Sequence, residues 1–260
     1  MTAPKKIIYR VVSGAISVAV FVVIWSIAST LFNTPILLPS PTDVFHSAMS
    51  MLYEGELLIH IGSSVKRLIV GMAVGVPVGA LIGCAMGWFP TVNALLDPYV
   101  RMANSIPAIA LIPFSLLWFG VSEFSRYALI FYTVSLCVLL SARAGVRSVS
   151  EIQIKAAQSL GLGEKEMFVR VVIPAVFPSI LSGVRTGIGL GVMVIVAAEM
   201  VGASDGLGYL IMEGRSHFAV DRMIIGILGL GLLSLFLDRS FTYIVEHVMP
   251  RWSTKRRVGN

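Results

Sequence analysis

Residues 151–174 read EIQIKAAQSLGLGEKEMFVRVVIP. Glu151, Lys155, Glu164, Lys165, Glu166 and Arg170 make this the one long polar interval between two strongly apolar blocks. A charge at the centre of a bilayer is expensive, so a chain that crosses a membrane keeps such a segment in water. The spacing inside it is regular: Lys155-Ala156-Ala157, three residues, Gly161, nine residues, Val171, one residue, Ile173-Pro174.

Outward from this segment the chain is apolar. Its 260 residues are 56% hydrophobic and 13% charged, and the mean hydropathy is +0.86. A soluble domain carries about 25% charged residues. Several apolar runs approach the length of about 20 residues that a spanning helix needs. The fold class that follows is an all-α membrane protein of about six transmembrane helices. The expected spans are 11–32, 64–89, 104–120, 127–144, the run that begins after Pro178 and ends near 201, and 222–245. The first is longer than the apolar stretch of a secretory signal, about 7–15 residues, and reads as a retained span. Thr42-Asp43 marks the start of a short helix over 44–53 on the membrane face. Cys84 and Cys137 both fall within expected spans and read as packing residues, with no disulfide framework. The four histidines, His46, His60, His217 and His247, lack the spacing of a metal site.

Charge placement gives the topology. Six spans put both termini on one side. That side then collects Lys5, Lys6, Arg10, Arg101, Arg143, Arg147, Lys155, Lys165, Arg170, Arg251, Lys255, Arg256 and Arg257. The other side has Lys66, Arg67, Arg126, Arg215 and Arg222. Excess Lys and Arg mark cytoplasmic loops, so both termini and the 151–174 segment are expected in the cytoplasm of a multi-pass inner-membrane protein. The formal charge of +6 is explained by topology and anionic lipid head groups, and nucleic acid is not an expected partner.

Individual spans carry further signals. Gly71, Gly75, Gly79, Gly83 and Gly87 recur at a step of four, which lays a smooth ridge along one helix face. The ridge serves either a sliding seam or tight static packing. Pro77 suggests a kink near mid-span. Pro107 and Pro113 break the third expected span. A broken helix at membrane depth needs protein or a water-filled cavity around its freed carbonyls; the span either lines a passage or is a kinked packing helix. Arg185, about 10 Å into its span at 1.5 Å per residue, either meets an anion or snorkels and bonds helix ends. Glu199 is either a gate residue or a helix-end pairing residue. Asp238 and Arg239 point in different directions and need separate partners. The 151–174 segment itself reads helix, turn, helix, with Glu151 at the first N-terminus, a break at Gly161 and Gly163, and Pro174 and Pro178 ending the second piece. On the residues alone it is either a solvated connection or a rigid crossbar that transmits a push.

The segment resembles the EAA loop of the permeases of ATP-binding-cassette (ABC) importers, whose pattern is EAA, three residues, Gly, nine residues, Ile, one residue, Leu-Pro. The spacing agrees throughout. Lys155 stands for the Glu and reverses its charge; Val171 and Ile173 keep the shape of the Ile and Leu. LLPSPTDV (37–44), SIPAIALIPFSLLWFG (105–120), SARAGVRSV (141–149), PAVFPSILSGVRTGIGLG (174–191) and AAEMVGASDGLGYLI (197–211) are similar to stretches of the nitrate/sulfonate/bicarbonate type, which includes taurine and alkanesulfonate importers. The resemblance runs from about residue 37 to the C-terminus. It implies a type I permease fold over 58–246, an N-terminal span and outer linker over 1–57, and a basic cytoplasmic tail over 247–260. It also implies a second permease copy, a pair of cytoplasmic ABC ATPases, and an extracytoplasmic solute-binding protein. Glu151, Lys155, Ala156, Ala157, Gly161, Glu164, Val171, Ile173 and Pro174 would then couple the ATPases to the spans, with Ala156 and Ala157 packed in a groove of the ATPase.

The sequence has no GxxxxGK[ST] phosphate loop, so it does not cradle ATP in that manner, and hydrolysis belongs to a partner. No catalytic constellation or cofactor site is expected. The cargo implied is a small organic or inorganic anion. A neutral or aromatic solute, such as a pyrimidine precursor of thiamine, is the alternative. An ion-coupled secondary transporter is the more distant one, because it would carry ionisable groups deep in several spans.

Overall fold

The structure, a computed structural model, describes residues 3–32, 34 and 37–248. Pro35, the basic tail of Arg251, Lys255, Arg256 and Arg257, and the side chains of Lys5, Lys6 and Arg10 lie outside the described part. Among the described residues the chain forms helices and no strand. In order they are α1 (Ala3–Phe32), α2 (Pro41–Tyr53), α3 (Glu56–Trp88), α4 (Pro90–Ser105), α5 (Ile112–Phe119) and α6 (Glu123–Arg147). Then come α7 (Glu151–Ser159), α8 (Glu164–Met167), α9 (Ile173–Gly202), α10 (Leu207–Ser216) and α11 (Val220–Val248).

Three of these make the core. α6 lies between α3 on one side and α9 on the other. Leu68 of α3, Ile130, Val134 and Val138 of α6, and Val184 and Ile188 of α9 meet in one buried cluster. The glycine ridge is what lets α3 approach. A Cβ at Gly71 would lie 2.5 Å from Ile130 Cγ2, one at Gly75 3.2 Å from the Phe131 carbonyl oxygen, and one at Gly87 2.5 Å from Val146 Cβ. At Gly79 and Gly83 it would strike the carbonyls of Ser135 and Leu139. α9 approaches the same helix through Gly183, where a Cβ would lie 2.7 Å from Ser141 Cβ. All five ridge positions therefore face backbone or β-carbons of α6, the close packing that small residues permit between membrane helices.

This contact also counts the crossings. Residue numbers rise together along α3 and α6, from Gly71 opposite Ile130 to Gly87 opposite Val146, so the two helices run parallel. The chain between them must cross back. α4 and the Ala108–Phe119 piece, a 3₁₀ turn followed by α5, do so as one broken span bent by 89°. Five helices are long and apolar enough to cross alone, and the bent pair makes six. The expected third span, 104–120, is thus only the second limb of a longer crossing. Pro107 removes the N–H that would continue α4, and the helix stops at Ser105.

Other boundaries move for local reasons. α2 starts at Pro41, capped by a reciprocal pair: Ser40 Oγ accepts from the Asp43 N–H, and the Asp43 carboxylate accepts from the Ser40 N–H. The Ser40 hydroxyl, donating to the Asp43 carboxylate at 2.6 Å, and then the Ser40 N–H hold that carboxyl below its ordinary pKa. Gly55, at φ 79°, ends that unit and opens α3 at Glu56, eight residues before the expected start. α3 continues through Pro77. Pro174 and Pro178 do not end a helical piece. Phe168–Val172 forms a π-helical turn that leads into α9, with Pro174 in its first turn and Pro178 inside it. The wider turn accommodates the carbonyls that a missing proline N–H would leave in an α-helix. The apolar stretch Val12–Leu31 of α1 buries none of its described residues and is tied to the rest through Trp25, whose indole N–H donates to the Pro39 carbonyl at 3.1 Å.

Candidate functional site

The polar segment forms a crossbar between α6 and α9. Ser150 Oγ caps α7 by accepting from the Gln153 N–H, and Glu151 sits in the first turn, where its charge suits the helix dipole. Gly161, at φ 78°, carries the reversal into α8, a backbone conformation that side chains with a Cβ resist. The two alanines part company here: Ala157 is buried inside the chain, while Ala156 is exposed. Ile152, Ala156 and Leu160, four residues apart, form one face of the crossbar, with Ile152 79% and Leu160 81% exposed. Lys155 is solvent-exposed and pairs with Glu151 one turn back at 3.4 Å. Glu164 lies exposed in the first turn of α8. Val171 is half-buried, Ile173 exposed and Pro174 half-buried; the residue buried between them is Val172.

The bend in the third crossing opens a second feature. A cavity of about 270 Å³ lies under it, lined by Asn104, Ile106, Pro107 and Ile109 from the bend, Tyr132 and Cys137 from α6, and Leu190 and Met193 from α9. No charged side chain lines it. Pro113 sits at the start of α5, outside this wall.

The face opposite the crossbar holds a buried charge network. Arg67 of α3 makes a two-pronged contact with Glu123 of α6 at 2.7 and 2.8 Å. It also donates to Glu199 of α9 at 2.9 Å and to the Asp205 carbonyl at 2.8 Å, and it pairs with the Asp205 carboxylate. Glu199 additionally accepts from Ser64 Oγ and from the Gly208 N–H, each at 2.9 Å. Its carboxylate therefore faces the N-terminus of α10, where a negative charge is favoured. Arg126 joins through Glu123 at 2.7 Å and through the Gly202 carbonyl. Glu199 is thus held as a pairing residue. Arg67, which the sequence places at the outer end of the second expected span, is 2% exposed.

Two smaller clusters of ionisable groups lie elsewhere. Arg185 donates to both oxygens of Asp238 at 2.6 and 2.8 Å, joining α9 to α11. Its charge is therefore met by a neighbour in the bundle. Glu56, His60 and Glu213 offer ligand atoms within 4.8 Å of one another, a grouping that the sequence spacing hides. Arg222 already donates to both carboxylates, at 2.9 and 3.4 Å. The Gly206 N–H donates to His60 Nδ1 at 3.2 Å, which puts the proton of the neutral ring on Nε2, facing Glu56. The cation of this cluster is the arginine.

Comparison with known proteins assigns the whole. The family model described as binding-protein-dependent transport system inner membrane component matches residues 75–250. The chain belongs to that family. The taurine transport system permease protein of Escherichia coli is 31% identical over 231 residues, covering 87% of this chain and 84% of that protein. A putative aliphatic sulfonates transport permease protein of Escherichia coli is 30% identical, covering 97% and 95%. The nitrate import permease protein of Synechocystis is 28% identical, covering 95% and 93%. Among solved structures, the inward-facing MetNI methionine ABC transporter matches with a TM-score of 0.57 at 17% identity, over 77% of this chain and 98% of that one. It supports the fold. The permease is a multi-pass membrane subunit of an ABC importer, and its family implies ATPase and binding-protein partners. The charge network of the permease, and α4 as the first limb of its broken crossing, are what the sequence reading missed. The members of the network lie far apart in the chain, Arg67 and Glu199 by 132 residues.

Proposed function

We propose that this permease forms, with a second copy of itself, the passage of an importer for a small anion of the sulfonate or nitrate class. In this reading residues 151–174 face the cytoplasm and dock a pair of ABC ATPases, and a solute-binding protein delivers cargo at the opposite face. The observation that carries it is the crossbar: an exposed Ile152–Ala156–Leu160 stripe beside a left-handed Gly161, at the position of the EAA pattern. A water-exposed apolar stripe on a short helix fits a partner's groove. The crossbar is also continuous with the membrane helices on both sides, through Arg147–Glu151 and through the π turn into α9. ATP-driven closure of the docked ATPases would thereby push on α6 and α9.

The anion class rests on the relatives: taurine, aliphatic sulfonates and nitrate. Arg185, the cation best placed by depth to meet an anion, is occupied by Asp238. Cargo choice in this reading lies with the binding protein. The uncharged cavity wall at the bend favours a second reading, in which a neutral or aromatic solute passes.

Binding, uptake and labelling experiments test the assignment. Co-expressed with its cognate ATPase, the permease should copurify with it, and Gly161→Asp should insert normally but lose ATP-dependent uptake. Uptake by the reconstituted permease without any ATPase would instead mark an ion-coupled transporter. Labelling of a cysteine at Lys155 from the outer side of intact cells would overturn the orientation.

A further inference from the structure

The bend in the third crossing has a specific hydrogen-bonding problem. In a continuous helix the Ala103 carbonyl would accept from the N–H of residue 107. That residue is Pro107, which has none. An unmet carbonyl at membrane depth is costly. In the structure the Tyr132 hydroxyl donates to the Ala103 oxygen at 2.6 Å. The Ile106 oxygen, the next carbonyl exposed by the break, lies 3.4 Å from the same hydroxyl. The Ile106 N–H also reaches Ala103, at 3.1 Å, through a tight turn. Tyr132 thus gives the Ala103 carbonyl a second donor beside the Ile106 N–H, where Pro107 offers none.

Its position is central. Nine residues into α6, Tyr132 lies about 13 Å from the start of that helix at 1.5 Å per residue, roughly mid-depth for a helix of 25 residues. Its ring also lines the cavity under the bend, opposite Leu190 and Met193 of α9. α6 and α9 flank the crossbar, so a movement of the crossbar reaches the cavity from two walls. The third wall, the bend itself, is joined to α6 by the Tyr132 hydroxyl.

We propose that Tyr132 is a positioning residue of transport: its hydroxyl replaces the N–H missing at Pro107, pins the α4–α5 bend to α6, and so sets the shape of the cavity that solute traverses. The inference rests on the passage reading above. Without the hydroxyl the bend is held to α6 only by the Asp97–Arg143 pair and by the packing of Val100 on Leu139 and of Ile112 on Leu129, and the cavity opens to water more readily in the absence of ATP.

The test uses the full importer in proteoliposomes with its ATPase and binding protein. Cys84→Ala leaves Cys137, in the cavity wall, as the sole thiol of the permease. A membrane-impermeant methanethiosulfonate then reports access to the cavity. Tyr132→Phe should raise the nucleotide-free labelling rate of Cys137 about fivefold, the factor that one hydrogen bond of ordinary strength supplies. It should also lower uptake per ATP hydrolysed while the amount of assembled complex stays unchanged. Pro107→Ala restores the missing N–H, so in that background Tyr132→Phe should change neither readout. A purely structural tyrosine would cost the same in both backgrounds, and that result overturns the proposal. Unchanged labelling and uptake in Tyr132→Phe overturn it as well. Should Tyr132→Phe fail to accumulate, recovery in the Pro107→Ala background supports the pin, and equal loss in both refutes it. Absence of ATP-driven uptake by the parent importer would instead sink the passage reading itself.

Discussion

The two ends of the bundle are built on opposite principles. At one end Arg67, Glu123, Glu199 and Asp205 bring α3, α6, α9 and the α10 entry together around a side chain 2% exposed. At the other end the crossbar has exposed ion pairs, Lys155–Glu151 at 3.4 Å and Arg170–Glu166 at 3.5 Å, and it leaves Ile152 and Leu160 uncovered. A buried charge with several partners is costly to disturb, because Glu199, whose side chain is fully buried, would be left unpaired out of water. Exposed pairs contribute little. The first end is therefore a fixed knot of the fold. The second is stable enough to keep its shape and open enough to be covered by another protein.

The largest expected effect breaks the knot. Arg67→Leu leaves Glu199 buried without its cation and should cost about 3–5 kcal/mol, read as a large fall in thermal stability in detergent. Equal stability to the parent would mean that the knot carries no weight. Next comes the seam that holds both ends in register. A Cβ at Gly83 meets the Leu139 carbonyl and lies 2.9 Å from Ala142 Cβ, so Gly83→Val should cost about 1–3 kcal/mol by overpacking, seen in the same melt. At the crossbar the effects shrink. Gly161→Ala forces a side chain into the left-handed region and should cost about 1 kcal/mol, with a partial loss of ATPase retention on a pull-down. Leu160→Asp should shift stability by less than about 0.5 kcal/mol yet abolish that retention. If it destabilises the free permease instead, the stripe is part of the fold and no docking face. The smallest effect belongs to Lys155→Glu, which restores the usual residue of the pattern. It places two acids one turn apart and should lose about 0.3 kcal/mol of helix stability, with ATPase binding retained.

The two ends also differ in how far they could be read beforehand. The crossbar is local: its cap, its helix, its glycine turn and its spacing all lie within one stretch, and helix, turn and helix appear where the residues place them. The ridge of glycines is equally local, since a step of four on a helix implies a close neighbour, although not which helix supplies it. The six crossings follow from apolar length and charge placement, yet the third is a bent pair whose first limb, α4, reads as a polar link because Asp97 and Arg101 interrupt it. Asp97 pairs with both Arg101 and Arg143, at 2.6 and 2.5 Å, which is how the limb carries its charges. The continuation of helix through Pro174 and Pro178 was hidden too. A π turn has no sequence rule as plain as the proline it accommodates.

By itself, the sequence determined the all-helical membrane class, the number of crossings, the charge asymmetry and the crossbar, because each depends on the period or polarity of neighbouring residues. Tertiary structure alone decided that Arg67 is buried, that Arg185 is matched by Asp238, that Ala157 faces inward while Ala156 does not, and that Tyr132 fills the gap left by Pro107. These are pairings between groups tens of residues apart. Their cost or benefit exists only once water has been removed from between them, and only the packing of α3, α6 and α9 says where that happens.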